Sequence, residues 1–246
     1  MRILLPLTFL ASAFCLATGA AVELVGTYTC KSHGGYDLCN DQWGASSGTG
    51  SQVSYLMGGS KNTISWVTKW TWTGGWNDVK TYANAASTNA KGMTLSEIEA
   101  VPTKWKWYYK SGTDICADVS YDIWIGSNPS GAPASSDTNF EIMIWLSAKG
   151  GVSPLGSLKN SAVSIASHTW DVYAGPIDNW ETISFVTREG DLTNFNDDLA
   201  PFFEWVIAHM GVSSSLYLHQ IAGGTEAFTG SAVFVTESFS ASVETR

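Results

Sequence analysis

The sequence predicts an all-β domain with a single helix packed on the outside of its sheets. Three observations carry this. Segment after segment alternates apolar and polar residues at period two, the repeat of a half-buried strand. Only one segment repeats at helical spacing, with Leu199, Phe202, Phe203, Val206, Ile207 and Met210 recurring at i, i+3, i+4, i+7, i+8 and i+11. The composition agrees: 12 Trp and 24 Gly against 14% charged residues suit a twisted β protein with aromatic surfaces.

Met1-Arg2, the apolar run Ile3 to Leu10 and small residues through Ala21 read as a secretory signal peptide over residues 1–20, with cleavage near Ala17 to Ala21. A membrane anchor is the competing reading, but Pro6, Thr8, Ser12 and Thr18 interrupt the run and no second long apolar segment follows. The mature protein is therefore expected outside the cell, with no membrane partner. Residues 21–246 remain, which suit one all-β domain, and no long linker divides them. The 13 basic and 22 acidic residues give a net charge of −9, which argues against a nucleic-acid surface, because such surfaces bind phosphates through Lys and Arg.

Three of the four cysteines, Cys30, Cys39 and Cys116, follow the leader. Cys30 and Cys39 are close enough to pair, which leaves Cys116 as a packed thiol within a strand. Neither a CxxC pair nor an HExxH pattern occurs, and the four histidines are scattered, so no metal and no cofactor is expected.

Val25 to Trp43 reads as a short strand, a disulfide-tied loop and a second strand or turn. In the next strand, Ile64, Trp66, Trp70 and Trp72 share one face, read mainly as core, and Gly74-Gly75 makes the turn. Lys80 to Ala90 is a connection or a weakly patterned strand. Pro102 to Tyr109 is a strand expected to turn at Ser111-Gly112. The strand after it places Ile115, Ala117, Val119, Tyr121, Ile123 and Ile125 on one face and Asp118, Ser120, Asp122 and Trp124 on the other. Ser127 to Thr138 is a surface loop of small residues.

Phe140 to Ser147 is the most informative strand. Phe140, Ile142, Ile144 and Leu146 form an apolar face, while Glu141 stands in a row with Met143, Trp145 and Ser147. If the second row faced water, its Met and Trp would be misplaced; if it faced the core, Glu141 would be buried at large cost. A sugar-binding cleft accommodates both, and an amphipathic strand packed under a loop is the plainer alternative. Further strands follow at Val163 to Ala166, Thr169 to Tyr173 and Thr182 to Thr187, with a turn at Gly175-Pro176. Asn196 or Asp197 is expected to cap the helix, with Pro201 in its first turn and Gly211 after its end. Glu226, bracketed by glycines and Phe228, is either a cleft residue approached closely by backbone or an ordinary glutamate in a bend.

Hydrolysis of a glycosidic bond needs one carboxylic acid to protonate the leaving oxygen and one carboxylate across the sugar. Phe140 to Leu146, Gly224 to Gly230, Ser120 to Ile123 and Asn40 to Gly44 together resemble the signature blocks of glycoside hydrolase family 12, as do Trp70 to Gly75 and Ser184 to Val186. The similarity runs in order from about Cys30 to Val243. It implies a β-jelly roll of two curved antiparallel sheets with one helix on the convex side. It also implies a nucleophile at Glu141, an acid/base at Glu226 and a partner of the nucleophile at Asp122. The same carry-over makes Trp43 a stacking platform and adds Asn40, Met143, Trp145 and Phe228 to the substrate contacts.

Three positions depart from the family pattern. Asn40-Asp41-Gln42-Trp43-Gly44 stands for N-N-L-W-G, which alters a polar contact to the sugar. Ala227 replaces the proline after the acid/base, which is expected to loosen the backbone. Val53 replaces the family's usual cysteine, so Cys39 is the replacement partner for Cys30.

The resemblance implies a secreted, endo-acting, retaining β-1,4-glucanase, expected to work as a monomer on a β-1,4-linked glucan. Xyloglucan is the preferred substrate because Ser147 to Ser157 and Gly175-Pro176 resemble the xyloglucan-preferring branch, and Ser127 to Thr138 lacks a bulky aromatic insertion. A broad endoglucanase on cellulose and mixed-linkage glucan is the alternative. A non-catalytic carbohydrate-binding jelly roll needs no paired glutamates, and both are present. Recognition by a host as a danger signal is compatible with either.

Overall fold

A computed structural model describes residues 21–246, so the leader predicted over residues 1–20 lies outside the described residues. The strands are β1 Val22–Leu24, β2 Cys30–His33, β3 Tyr36–Cys39, β4 Thr49–Ser60, β5 Thr63–Thr73, β6 Thr81–Ser87, β7 Ile98–Ala100, β8 Pro102–Gly126, β9 Thr138–Lys149, β10 Ser157–Ile165, β11 His168–Ile177, β12 Trp180–Thr187, β13 Asn194–Asp198, β14 Tyr217–Ala241 and β15 Glu244–Thr245. One α-helix, α1, spans Ala200–His209. This is a β-jelly roll.

Two strands of 25 residues each, β8 and β14, pair along their length and serve both layers. Their outer halves carry β5, β4 and β1 beyond β14, and β13 beyond β8. Their inner halves carry β6, β3 and β2 on one side and β9, β12, β11 and β10 on the other. The predicted turn at Ser111-Gly112 is therefore absent: Ser111 pairs with Val233 and Gly112 with Ala232, and the strand passes on into the inner layer. A bending strand that changes layers needs residues of small size and unusual φ, and Gly112, Asp114 at φ +49° and Gly230 at φ +95° supply them.

The layers enclose an aromatic core. Trp66 and Trp105 lie against Phe239, and Trp105 against Tyr121, with ring centroids 5.1–5.8 Å apart in edge-on geometry. Ile64, Trp70 and Trp72 are buried with them, as the alternating pattern required. The other strand rows behave likewise: Ile123, Ile125, Ile142, Ile144, Ile183 and Phe185 all face inward. Helix α1 covers this same face of β11 and β12, where Phe202 meets Phe185 at 5.0 Å and Trp170 at 5.3 Å.

Of the two readings of Lys80 to Ala90, the strand holds: β6 has seven residues, all buried, so covering on both faces erased the alternation. Two further boundaries differ from expectation. Gly175 and Pro176 are paired with Thr182 and Glu181 inside the hairpin, and the chain turns instead at Asp178, φ +46°. Proline is tolerated there because β10 ends opposite Ala174, which leaves Pro176 on a local edge. Asn196 and Asp197 belong to β13, Leu199 stands at the N-cap without a side-chain bond, and Asp198 Oδ1 just before it accepts from the backbone N–H of Ala200 at 2.9 Å and Val101 at 2.7 Å. Cys30 and Cys39 form a disulfide across the β2–β3 hairpin, and Cys116 is a buried free thiol.

Candidate active site

The face of the inner layer turned away from the core lines a cleft of about 1340 Å³. Strand pairing decides who meets whom there. Glu141 of β9 sits opposite Trp124 of β8 and beside Thr182 of β12. Glu226 of β14 sits opposite Tyr82 of β6. On its other side, the register that joins Gly224 to Ser120 and Ala227 to Ala117 runs unbroken, so Asp118 of β8 faces Glu226 directly. Asp122, two residues before Trp124, is the diagonal neighbour of Glu141 on the same face.

The two glutamates meet different surroundings. Thr182 Oγ1 donates a hydrogen bond to Glu141 Oε2, and Trp180 Nε1 approaches the same oxygen at 3.4 Å. Burial raises the Glu141 carboxyl above its ordinary range, and these two donors oppose it. Glu226 is held well above that range, first by burial and then by Asp118, Glu141 and Asp122. Asp122 is also raised well above the ordinary range by burial and the charge of Glu141, although Trp124 Nε1 donates to its Oδ2 at 2.8 Å. A face carrying Asp118, Asp122, Glu141 and Glu226 cannot be fully ionised without heavy repulsion, so protons are retained on part of it.

Glu141, Glu226, Asp122, Met143, Trp145, Phe228 and Trp43 all line the cleft. Trp43 is 54% exposed, whereas Trp145 is buried with its indole N–H pointed at Met143 Sδ, 3.5 Å away. Trp145 is thus floor, not platform. Asn40 corrects the expectation of a sugar contact. It is fully buried, its Nδ2 donates to Gly26 O at 3.0 Å, and its Oδ1 accepts from Ser54 and Gln52. Those bonds satisfy its side chain inside the fold; Asp41 lines the cleft instead, turned there by a φ of +32° and pushed up to about 6 by burial. Ser147 leaves the Glu141 row at a register shift and donates to Asp191 at 2.7 Å. Ala227 pairs with Ala117 and Thr81 and its carbonyl accepts from Lys80 N, and the pairing with β8 shifts register just after it.

Sequence reasoning missed Asp118, Tyr82, Thr182, Trp180 and Trp76. Trp76 is 71% exposed at the cleft, yet its loop is fixed: the fully buried Lys80 donates through Nζ to the carbonyls of Gly75 and Asp78. In the sequence, Asp118 shares the alternating face of Asp122, and Trp76 follows the Gly74-Gly75 turn directly.

The profile of glycosyl hydrolase family 12 matches residues 34–244. The chain belongs to this family. A probable xyloglucan-specific endo-β-1,4-glucanase A of Aspergillus niger is 41% identical over 243 residues, covering 96% of this chain and 98% of the relative. The xyloglucan-specific endo-β-1,4-glucanase A of Aspergillus aculeatus is 40% identical, with 98% of each covered. Among solved structures, the catalytic domain of Humicola grisea Cel12A, in complex with a soaked thio cellotetraose, superposes with a TM-score of 0.85 at 32% identity and covers 91% of this chain and 99% of its own. Trichoderma harzianum endoglucanase 3 gives 0.85 at 31%, covering 93% of this chain and all of its own. The protein is a glycoside hydrolase, and its relatives support endoglucanase activity.

Proposed function

We propose that the protein is a secreted, retaining endo-β-1,4-glucanase whose preferred substrate is xyloglucan. The observation that carries the reading is the pair Glu141 and Glu226 on one cleft face, one supplied with hydrogen-bond donors and the other surrounded by acids. Donors stabilise a carboxylate and neighbouring acids stabilise a carboxylic acid, which is the division of labour between a nucleophile and a proton donor. Glu141 attacks the anomeric carbon while Glu226 protonates the leaving oxygen. Glu226 then takes a proton from the water that releases the glycosyl group. Asp122 stands beside Glu141 and tunes it through their shared charge.

Xyloglucan is favoured by the relatives' activity and by the cleft wall. Pro133 and Ala134 of the small-residue loop, together with Gly151 to Gly156, border the cleft and leave room beside the glucan ring for xylose branches. Trp43 and Trp76 supply stacking faces. The leader-like first 20 residues carry the inference of secretion, and action as a monomer is part of the same reading.

Initial rates on xyloglucan, carboxymethylcellulose and mixed-linkage β-glucan at equal enzyme test the substrate, with xyloglucan expected fastest. A faster rate on either unbranched glucan rejects that preference and leaves a broad endoglucanase. Proton NMR of the first-formed product tests the stereochemistry: the β-anomer is expected, and initial α-anomer refutes retention.

A further inference from the structure

We propose that Asp118 is a positioning residue for Glu226: the two carboxyls share one proton across the β8–β14 pair, with Glu226 as donor and Asp118 as acceptor. The inference rests on the acid/base reading of Glu226. Its geometric basis is the register, which sets the two residues directly opposite one another, where β-carbons of an antiparallel pair lie about 4.5–5.5 Å apart.

Asp118 is fully buried. Its backbone is pinned by Thr225 Oγ1, which donates to Asp118 O at 2.6 Å, and its Oδ1 accepts from Ser120 Oγ at 2.8 Å. Its Oδ2 is buried without a hydrogen-bond partner among the described residues, and Glu226 reaches the Asp118 carboxyl through both its side chain and its backbone N–H. A proton between two buried, facing carboxyls relieves their repulsion, since two opposed negative charges repel and neither is solvated.

The groups facing this pair do not supply a compensating cation. Tyr82 faces Glu226 from β6, Asp122 adjoins it on β8, Glu141 looks across from β9, and Tyr109 and Cys116 adjoin Asp118. All are acids, phenols or a thiol. The proton rests on Glu226, because the bond between the two side chains favours the charged form of Asp118 and the neutral form of Glu226.

The pair then follows the reaction. As the bond from anomeric carbon to leaving oxygen breaks and the bond to Glu141 forms, the shared proton passes to the leaving oxygen. Two opposed carboxylates remain. Their repulsion makes Glu226 a stronger base for the water that attacks next, and the proton from that water restores the pair.

Carbon-13 NMR titration of glutamate labelled at the side-chain carboxyl tests this, with Glu226→Gln assigning the Glu226 signal. Wild type should show Glu226 titrating well above other glutamates, and Asp118→Asn should lower its midpoint by about one pH unit or more, the size expected on losing a like charge at this distance. The pH profile of kcat/KM on xyloglucan should be displaced by a comparable amount, with near-UV circular dichroism unchanged. Asp118→Ala removes the same charge without an amide and should shift the signal in the same direction, so one unfolded variant does not leave the pair unmeasured. A Glu226 midpoint within about 0.3 units of wild type in a folded variant overturns the proposal. Because the titration needs no turnover, activity surviving in Glu226→Gln would reject the acid/base role separately.

Discussion

Glu141 and Glu226 stand on the same face of the same layer, separated only by β8; both are raised by burial and adjoin an aspartate, and what differs is the strand on their far side. Around Glu141, β12 contributes Thr182 and Trp180, both donors. Around Glu226, the flanking strands contribute Asp118 and Tyr82. On the proposed roles, one residue type serves two chemistries, and the neighbouring strands choose between them. The strand carrying each glutamate fixes its position; the strands beside it fix its protonation.

The largest effect expected from breaking this contrast is removal of either carboxyl. Glu141→Gln and Glu226→Gln should each lose about 10²- to 10⁴-fold or more in kcat while the fold remains, as measured by reducing-end release from xyloglucan. Activity within about tenfold of wild type in either variant would remove that residue from the mechanism.

A finer change erases the donor side alone. Thr182→Val deletes a hydrogen bond to a charged group, worth about 1.5–3 kcal/mol, or about one to two pH units. As the proposed nucleophile, Glu141 must be ionised to attack, so the acid limb of kcat/KM should move to higher pH. An unmoved limb would mean that Thr182 does not hold the nucleophile ionised.

Stability gives the same contrast in another form. Asp118 and Asp41 are each raised to about 6, and Glu226 and Asp122 are raised further, so the folded protein binds more protons than the unfolded chain between about pH 4 and their folded values. Their contribution is fully present below the unfolded values and is lost as pH rises through the folded ones. Tm should therefore fall as pH rises from about 4 past 6, by roughly 2–4 °C for each kcal/mol lost. In Asp118→Asn the slope should be shallower; an equal slope would show that Asp118 titrates alike in both states.

The smallest effect concerns binding. Trp43→Ala and Trp76→Ala should each raise KM on xyloglucan by up to about tenfold with kcat nearly unchanged, because an aromatic stack adds about 0.5–1.5 kcal/mol. A fall in kcat at constant KM would place the ring in the chemistry instead of the platform.

The sequence carried the strand faces well because period two survives wherever one side is core, as in Phe140 to Leu146 and Ile115 to Ile125. It left β6 open between strand and connection, because both its sides are buried, and it failed at Ser111-Gly112, where a strand crosses layers without turning. Glu141, Glu226 and Asp122 were legible as motif positions. Asp118 stood in plain view on the Asp122 face, but its importance comes from Glu226 lying opposite, a register between strands more than 100 residues apart in the chain. Thr182 is hidden for the same reason, since β12 joins β9 in parallel and no local pattern announces that pairing. Asn40 was misplaced because a motif names a residue and not the direction of its side chain, which here is held inward by Gly26, Gln52 and Ser54.

The assignment of opposite roles to two glutamates is tested most directly by replacing each with alanine and supplying azide, using an aryl β-glucoside of a short β-1,4-glucan whose leaving group needs no acid. In Glu141→Ala azide takes the nucleophile's place and should give the α-glycosyl azide. In Glu226→Ala the glycosyl-enzyme still forms on Glu141, and azide opening it should give the β-glycosyl azide. The reverse pair of anomers, or rescue in neither variant, would contradict the account.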